Sequence, residues 1–156
     1  MLSSTRKAHT SASLLPSALA WAQLPLKERL SRVRQGVPAE WVRFTEARMD
    51  LPRPLLCSIV GLKVSTINRK LKEQSLLSQE ESERLMALHR LIGQVQALVN
   101  EAGESRNFDA ADWLSRWLLR PSQALGGDRP ADYMDAAEGR QRIAQLLAMN
   151  ESGAYA

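Results

Sequence analysis

The sequence predicts an all-α protein in which an N-terminal helix-turn-helix bundle is followed by a small helical C-terminal domain. Three observations lead to this prediction. Apolar residues recur at helical spacing, a helix–glycine–helix pattern occupies residues 54–74, and a capping box at residues 78–81 opens a long amphipathic segment. We expect a flexible tail over residues 1–24, the helix-turn-helix domain over 25–100 and the second domain over 101–156.

The first two helices are predicted from apolar spacing. Leu26, Leu30 and Val33 fall on one side of a helix over residues 26–35, which the glycine at position 36 can end. Trp41 and Phe44 share the apolar face of a second helix that begins after a proline at position 38.

The helix-turn-helix pattern is the clearest local signal. A short apolar helix ends at Gly61, a residue that adopts a left-handed turn without steric cost. Ser65 can cap the next helix, in which Ile67 and Leu71 face inward. Five Lys or Arg and no acidic residue lie between positions 53 and 72, as in a helix that enters the DNA major groove. A solvated face of a merely structural helical bundle is the alternative.

If this helix binds DNA, its polar residues divide by chemistry. Asn68 and Arg69 can pair with base edges in a bidentate manner, and Thr66, Lys70 and Lys72 suit phosphates. The full predicted set of DNA-binding residues is Ser65, Thr66, Asn68, Arg69, Lys70 and Lys72.

Charge is distributed unevenly along the chain. Residues 1–100 carry 15 Lys and Arg against 8 Asp and Glu, and residues 101–156 carry 6 against 9. The first segment therefore has a net charge of +7 and the second of −3, which together give the +4 of the whole chain. A basic front half suits a polyanionic partner, and the acidic back half suggests a different task.

The composition excludes several classes of protein. The single cysteine, Cys57, cannot form an intramolecular disulfide and offers no metal-ligand spacing, so we expect a reducing, cytoplasmic location and no metal or cofactor. No apolar run approaches the roughly 20 residues of a membrane helix. His89 has no Ser, Cys or carboxylate partner nearby in sequence, so we interpret it as a solvated or core residue. We predict no catalytic residue, no small-molecule substrate and no enzyme.

The back half predicts a compact helical module. Trp113, Trp117 and Leu118 belong to a helix that must end before Pro121, and a turn with two glycines follows. The last helix is predicted from about position 136 to 150, with Ile143, Leu146 and Leu147 facing the core. A glycine at position 139 costs about 1 kcal/mol relative to alanine inside a helix. Either another backbone approaches it closely, or the helix begins after it.

Three blocks of sequence between about Glu28 and the C-terminus carry a family resemblance. The first is residues 61–91, a basic helix followed by a Leu-Ser-x-x-Glu helix. The most specific is the spacing of Trp117-Leu118, Pro121, Leu125-Gly126-Gly127, Pro130 and Gly139. The third is Leu146-Leu147 followed by Gly153 and Tyr155. Together the three blocks resemble the Xre/MbcA/ParS-type antitoxins.

The resemblance implies an all-helical protein that neutralises a co-encoded toxin and binds the operon's promoter. We also expect a homodimer, because the apolar stripe of the long helix over residues 79–100 is wide enough to meet a second chain, although the core of a monomer would show the same stripe. The toxin would resemble the RES-domain class of NAD-depleting enzymes, and the antitoxin's C-terminal end would occlude the active site of that toxin. The implied toxin-binding residues are Trp117, Leu118, Leu125, Gly126, Gly127, Tyr133, Arg140, Gly153, Ala154, Tyr155 and Ala156. The alternative is a free-standing helix-turn-helix regulator whose C-terminal domain only dimerises.

Overall fold

A computed structural model describes residues 17–103 and 106–150 of the chain, and this part is helical, without a β-strand. The predicted all-α class is confirmed. Two short 3-10 segments, Gln123–Leu125 and Pro130–Tyr133, lie between the last two helices. The α-helices are α1 (Ala18–Gln23), α2 (Leu26–Gln35), α3 (Trp41–Met49), α4 (Arg53–Val60), α5 (Val64–Glu73), α6 (Gln79–Glu101), α7 (Ala110–Leu118) and α8 (Ala137–Asn150).

Helix α6 is the element on which the others assemble. It contacts α1, α2, α4, α7 and α8, and its apolar residues Leu85, Leu88 and Leu91 are buried. The predicted capping box opens it: the Glu81 backbone N–H donates to Ser78 Oγ at 3.1 Å, and the Ser78 N–H donates to Glu81 Oε1 at 2.8 Å. Both ends of this exchange satisfy backbone donors that a helix N-terminus leaves unpaired.

Helices α4 and α5 form the predicted helix-turn-helix. Gly61 follows α4 with φ of 75°, a left-handed conformation that glycine adopts at little cost. Ile67 and Leu71 of α5 are buried, as predicted. The predicted cap is wrong, because α5 begins two residues earlier than a cap at Ser65 implies. Lys63 is the N-cap and makes no side-chain capping bond.

The predicted flexible tail is wrong where the structure describes it, because residues 18–23 form α1. The Trp21 side chain is only 2% exposed and meets Trp41 edge to face, with 6.3 Å between the ring centroids. Helix α1 lies so close to α6 that a Cβ on Gly93 would come within 2.4 Å of the Ala18 carbonyl oxygen. Tertiary packing therefore holds this short helix. Residues 1–16 lie outside the described part of the chain.

The back half agrees with its predicted helices. Asp109 caps α7 by accepting a hydrogen bond from the Asp112 N–H at 3.0 Å, and α8 begins at Ala137. A Cβ on Gly139 would lie 1.9 Å from the Tyr133 carbonyl oxygen, so the close approach of another backbone explains this glycine. The alternative, a helix that begins after Gly139, is wrong. The side chains of Ile143 and Leu147 are buried, as predicted.

His89 is a core residue rather than a solvated one. The Thr45 hydroxyl donates to the Trp41 carbonyl oxygen at 2.7 Å, so its oxygen accepts from His89 Nε2–H, also at 2.7 Å. Burial, with a smaller effect from the Arg48 charge, lowers the pKa of His89 to about 4. The imidazole is therefore neutral near pH 7.

Neither a membrane-spanning helix nor a metal site is found among residues 17–103 and 106–150. No helix among them combines the length and the apolar character that crossing a bilayer requires. Nor do residues 17–103 and 106–150 bring together three or more His, Cys, Asp or Glu side chains in an arrangement that could hold a metal ion.

Candidate DNA-binding and partner-binding surfaces

The outer face of α5 presents a polar and mainly basic surface. Ser65, Asn68, Arg69 and Lys72 are exposed on it, and Thr66 is half-buried. The exposed Lys63, which the sequence prediction did not include, precedes α5 directly. We call this face the α5 surface. It places amide, hydroxyl and cationic groups on one side of a helix that its apolar residues anchor from behind.

A hydrogen-bonded network fixes the position of Asn68. Arg53 makes a two-pronged contact with Glu46, through Nε to Oε1 at 2.6 Å and Nη2 to Oε2 at 3.2 Å. Arg53 Nη1 then donates to Asn68 Oδ1 at 3.0 Å. A rigid guanidinium fork thus orients the carboxamide before any partner arrives. Sequence reasoning missed Glu46 and Arg53 because they lie on two other helices.

Arg69 remains available at the surface. Its guanidinium pairs with Glu73 one turn later at 3.2 Å, but the side chains are 58% and 52% exposed. Exposed pairs of this kind stabilise a helix by only a few tenths of a kcal/mol. A phosphate or base edge can therefore compete for Arg69.

Lys70 lies apart from the other predicted DNA-binding residues. Its ammonium group forms an ion pair with Glu81, and both side chains are largely buried, at 15% and 16% exposed. Burial acts to raise the pKa of Glu81, but hydrogen bonds from Lys70 and Ser78 outweigh it and hold the pKa below its ordinary value. Lys70 thus connects the end of α5 to the capping box of α6.

The glycine turn of the back half is exposed. Gly126 and Gly127 have φ of 67° and 96°, and nothing lies within 4 Å of a Cβ built on either. Ser122 closes the turn by accepting from the Gly127 N–H and donating its own N–H to the Asp128 carbonyl oxygen, both at 2.9 Å. The glycines are thus needed for the turn conformation, and their backbone is open to a partner.

Helix α7 carries a row of aromatic side chains. Trp113 and Trp117 stack with centroids 6.0 Å apart and planes at 14°, and Phe108 lies 6.4 Å from Trp113. All are half-buried. Of these three residues only Trp117 is among the predicted contacts, although the four-residue spacing of Trp113 and Trp117 places both on one face of the helix. Rigid, partly exposed aromatic rings are typical of binding hot spots.

The other predicted toxin-binding residues differ in exposure. Leu118 and Leu125 are buried in the core, so their side chains support the surface from behind. The Tyr133 hydroxyl donates to Asp128 Oδ2 at 2.9 Å, and Arg140 Nη1 donates to the Met134 carbonyl oxygen at 3.2 Å. Gly153, Ala154, Tyr155 and Ala156 lie outside the described residues.

Two family models match the chain. Residues 28–88 match the family described as the antitoxin Xre-like helix-turn-helix domain. Residues 102–153 match the family described as the antitoxin Xre/MbcA/ParS C-terminal toxin-binding domain. The first match includes the α5 surface, and the second includes the aromatic row and the glycine turn.

Two curated relatives agree with these matches. The chain is 37% identical over 129 residues to the Prs ADP-ribosylating antitoxin of Sphingobium sp. (strain YBL2), which covers 83% of this chain and 81% of that protein. It is 24% identical over 118 residues to the antitoxin Xre of Pseudomonas putida KT2440, covering 75% and 67% of the two chains. The chain therefore belongs to the Xre/MbcA/ParS family of antitoxins.

Proposed function

We propose that this antitoxin neutralises a co-encoded toxin through its back half and represses its own operon through the α5 surface. The observation that carries the proposal is the match of residues 102–153 to a toxin-binding domain, on a part of the fold that exposes the stacked tryptophans and the glycine turn. Aromatic anchors beside bare backbone give a protein partner both apolar area and hydrogen-bonding groups.

The proposed toxin is a RES-type enzyme that depletes NAD. The family resemblance supports this class, and one relative carries the words "ADP-ribosylating" in its name. In the proposed mechanism the end of the chain, Gly153, Ala154, Tyr155 and Ala156, occludes the toxin's active site. Tyr155 has the largest side chain of these residues, and in this mechanism it blocks the entrance to that active site. The protein itself carries out no chemistry and needs no cofactor or small-molecule substrate.

Removing residues 151–156 tests the occlusion mechanism. We expect the shortened protein to lose most protection of toxin-expressing cells while it keeps its affinity for operator DNA, because the α5 surface is untouched. Growth and DNA binding are measured in parallel. The matched control is Arg69→Ala, which should protect cells fully and bind the operator less well. Full protection by the shortened protein would contradict the occlusion mechanism.

The proposed operator contacts are base edges for Asn68 and Arg69, and phosphates for Thr66 and Lys72 with Ser65 beside them. A homodimer would place two α5 surfaces on two half-sites. Arg69→Ala should cost about 1–3 kcal/mol and relax the preference at one base pair. A uniform loss on all sequences would instead make Arg69 a phosphate contact. Lys70 can take part only by leaving Glu81.

The alternative is a free-standing, cytoplasmic transcription regulator whose back half serves only to form a dimer. Such a protein binds DNA but forms no stable complex with the product of the neighbouring gene. The exposed aromatic row would then be buried between two copies of the chain. Co-purification of the two gene products distinguishes these functions.

A further inference from the structure

Helices α2, α6 and α8 enclose a groove that is separate from the α5 surface, the stacked tryptophans and the glycine turn, although it includes Arg140 of the predicted toxin-binding residues. Its volume is about 500 Å³, and its apolar side chains come from all three helices. Leu26 and Leu30, which the sequence places on one side of α2, are 61% and 40% exposed. The apolar residues of the groove include Leu26, Leu30, Val33, Met86, Leu91 and Ala144.

The rim of this groove is strongly basic. Arg29, Arg34, Arg90 and Arg140 line it, against a single acidic residue, Glu83. The Arg29 Nε atom is buried and has no hydrogen-bond partner among the described residues. Burial, and after it the charge of Arg84, lowers the pKa of Arg140, and the carboxylates of Glu83 and Asp135 offset only part of this effect. A carboxylate of a partner would give the Arg29 Nε–H an acceptor and would stabilise the charged form of Arg140.

The apolar floor and the basic rim of the groove together favour one kind of binding partner. Duplex DNA presents phosphates but no apolar side chains to fill the floor. A second copy of the same face would bring the basic α2 against itself, since α2 carries Lys27, Arg29, Arg32 and Arg34 but only Glu28 as an acid. A segment with an apolar side and an acidic side complements both parts.

We propose that the groove docks an amphipathic, acidic segment of the toxin, with its apolar side chains on the leucines of α2 and its carboxylates on the rim arginines. The proposal rests on the proposed function, because the partner is the toxin. It extends the toxin contact beyond residues 102–153 to α2, which lies in the helix-turn-helix half. Toxin and DNA would then meet different faces of that half.

Two sets of substitutions in the full chain test the groove. Leu26→Glu with Leu30→Glu places acids on the floor, and Arg34→Glu with Arg90→Glu reverses the rim. The matched control is Leu76→Glu, since Leu76 is 53% exposed and does not line the groove. Calorimetry with the purified toxin gives Kd, thermal melting checks the fold, and operator DNA binding is the second readout.

We expect each double variant to weaken toxin binding by about tenfold or more, with the control within about twofold of the wild type. Unchanged toxin affinity in both double variants would overturn the groove and leave the proposed function standing. Rim variants that lose operator DNA but keep the toxin would show a nucleic-acid surface and also overturn it. Failure of the wild-type chain to bind the toxin would instead overturn the proposed function.

Discussion

At the scale of single residues, Gly139 shows how one missing side chain decides the geometry of the back half. Alanine is the better helix former by about 1 kcal/mol. Here its Cβ would meet the Tyr133 carbonyl oxygen at 1.9 Å. The clash would be with a backbone atom, which cannot move away as a flexible side chain can. An added Cβ would therefore force α8 away from the segment before it.

Gly139→Ala should therefore destabilise the protein despite the gain in helix propensity. We expect the free energy of unfolding to fall by about 1–3 kcal/mol, the usual range for overpacking. Urea denaturation measures it, with Gln145→Ala on the exposed side of the same helix as the control, expected within about 0.5 kcal/mol of the wild type. An unchanged or raised stability of Gly139→Ala would contradict the close packing.

His89 makes the stability of the fold depend on pH. Its pKa falls from 6.5 to about 4 on folding, so between these values the unfolded chain binds more protons than the folded one. The stabilisation is complete above pH 6.5 and is lost as the pH falls toward 4, by up to about 3 kcal/mol.

The variant His89→Gln isolates this effect. Glutamine keeps an N–H donor for Thr45 but does not titrate. Unfolding free energies measured from pH 7 to pH 4 should fall more steeply for the wild type than for the variant. Parallel pH profiles for the two proteins would show that His89 is solvated or charged in the folded state.

At the scale of elements, the two lysines near the end of α5 have different environments. Lys70 pairs with Glu81 in a largely buried position, whereas Lys72 is exposed. Lys70→Met should cost about 1–3 kcal/mol of stability, because Glu81 is left without its charged partner. Lys72→Met should change stability by less than about 0.5 kcal/mol.

Operator affinity should show the reverse order. Lys72→Met is expected to weaken DNA binding and to reduce its dependence on salt by about one unit of slope. Lys70→Met, measured below its melting temperature, should bind nearly as the wild type does. Equal losses of affinity for both variants would mean that Lys70 leaves Glu81 for a phosphate in the complex.

The elements that the sequence predicted well are those with local signals. Gly61 marked the turn before α5, and Ser78 with Glu81 marked the start of α6, because both depend on residues within one helical turn. Helix α1 has a local signal only in its cap, where Ser17 Oγ accepts from the Ala20 N–H at 3.1 Å, and one cap does not stabilise so short a helix. It exists because Trp21 packs on Trp41 and because Gly93 admits the α1 backbone, and neither contact is local in sequence.

At the scale of the whole molecule, α6 joins the two family domains. Arg84 of α6 donates to the Asp135 carbonyl oxygen at 2.6 Å and lies against Gly61, where an added Cβ would be 2.4 Å from Nη1. Gln94 Nε2 donates to the Ala144 carbonyl oxygen at 3.0 Å. Helix α6 thus positions both the α5 surface and α8, so the proposed DNA-binding and toxin-binding surfaces belong to one packed assembly.

The candidate surfaces could be predicted from the sequence only in part. The polar residues of α5 follow from helical spacing, but the burial of Lys70 does not, because its partner Glu81 lies on α6. Leu118 and Leu125 belonged to the family spacing, yet they are core residues that shape the surface without forming it. A spacing motif shows which residues a fold requires. It does not distinguish buried residues that support a surface from exposed residues that contact a partner.

The proposed function requires that this chain bind and neutralise a toxin encoded beside it. Co-expression with the tagged product of the adjacent gene tests this, followed by pull-down and by an NAD assay on cells that express that product alone. We expect a partner that is toxic, lowers NAD and carries this chain with it through purification. A partner that is harmless and leaves this chain in the unbound fraction would contradict the proposed function.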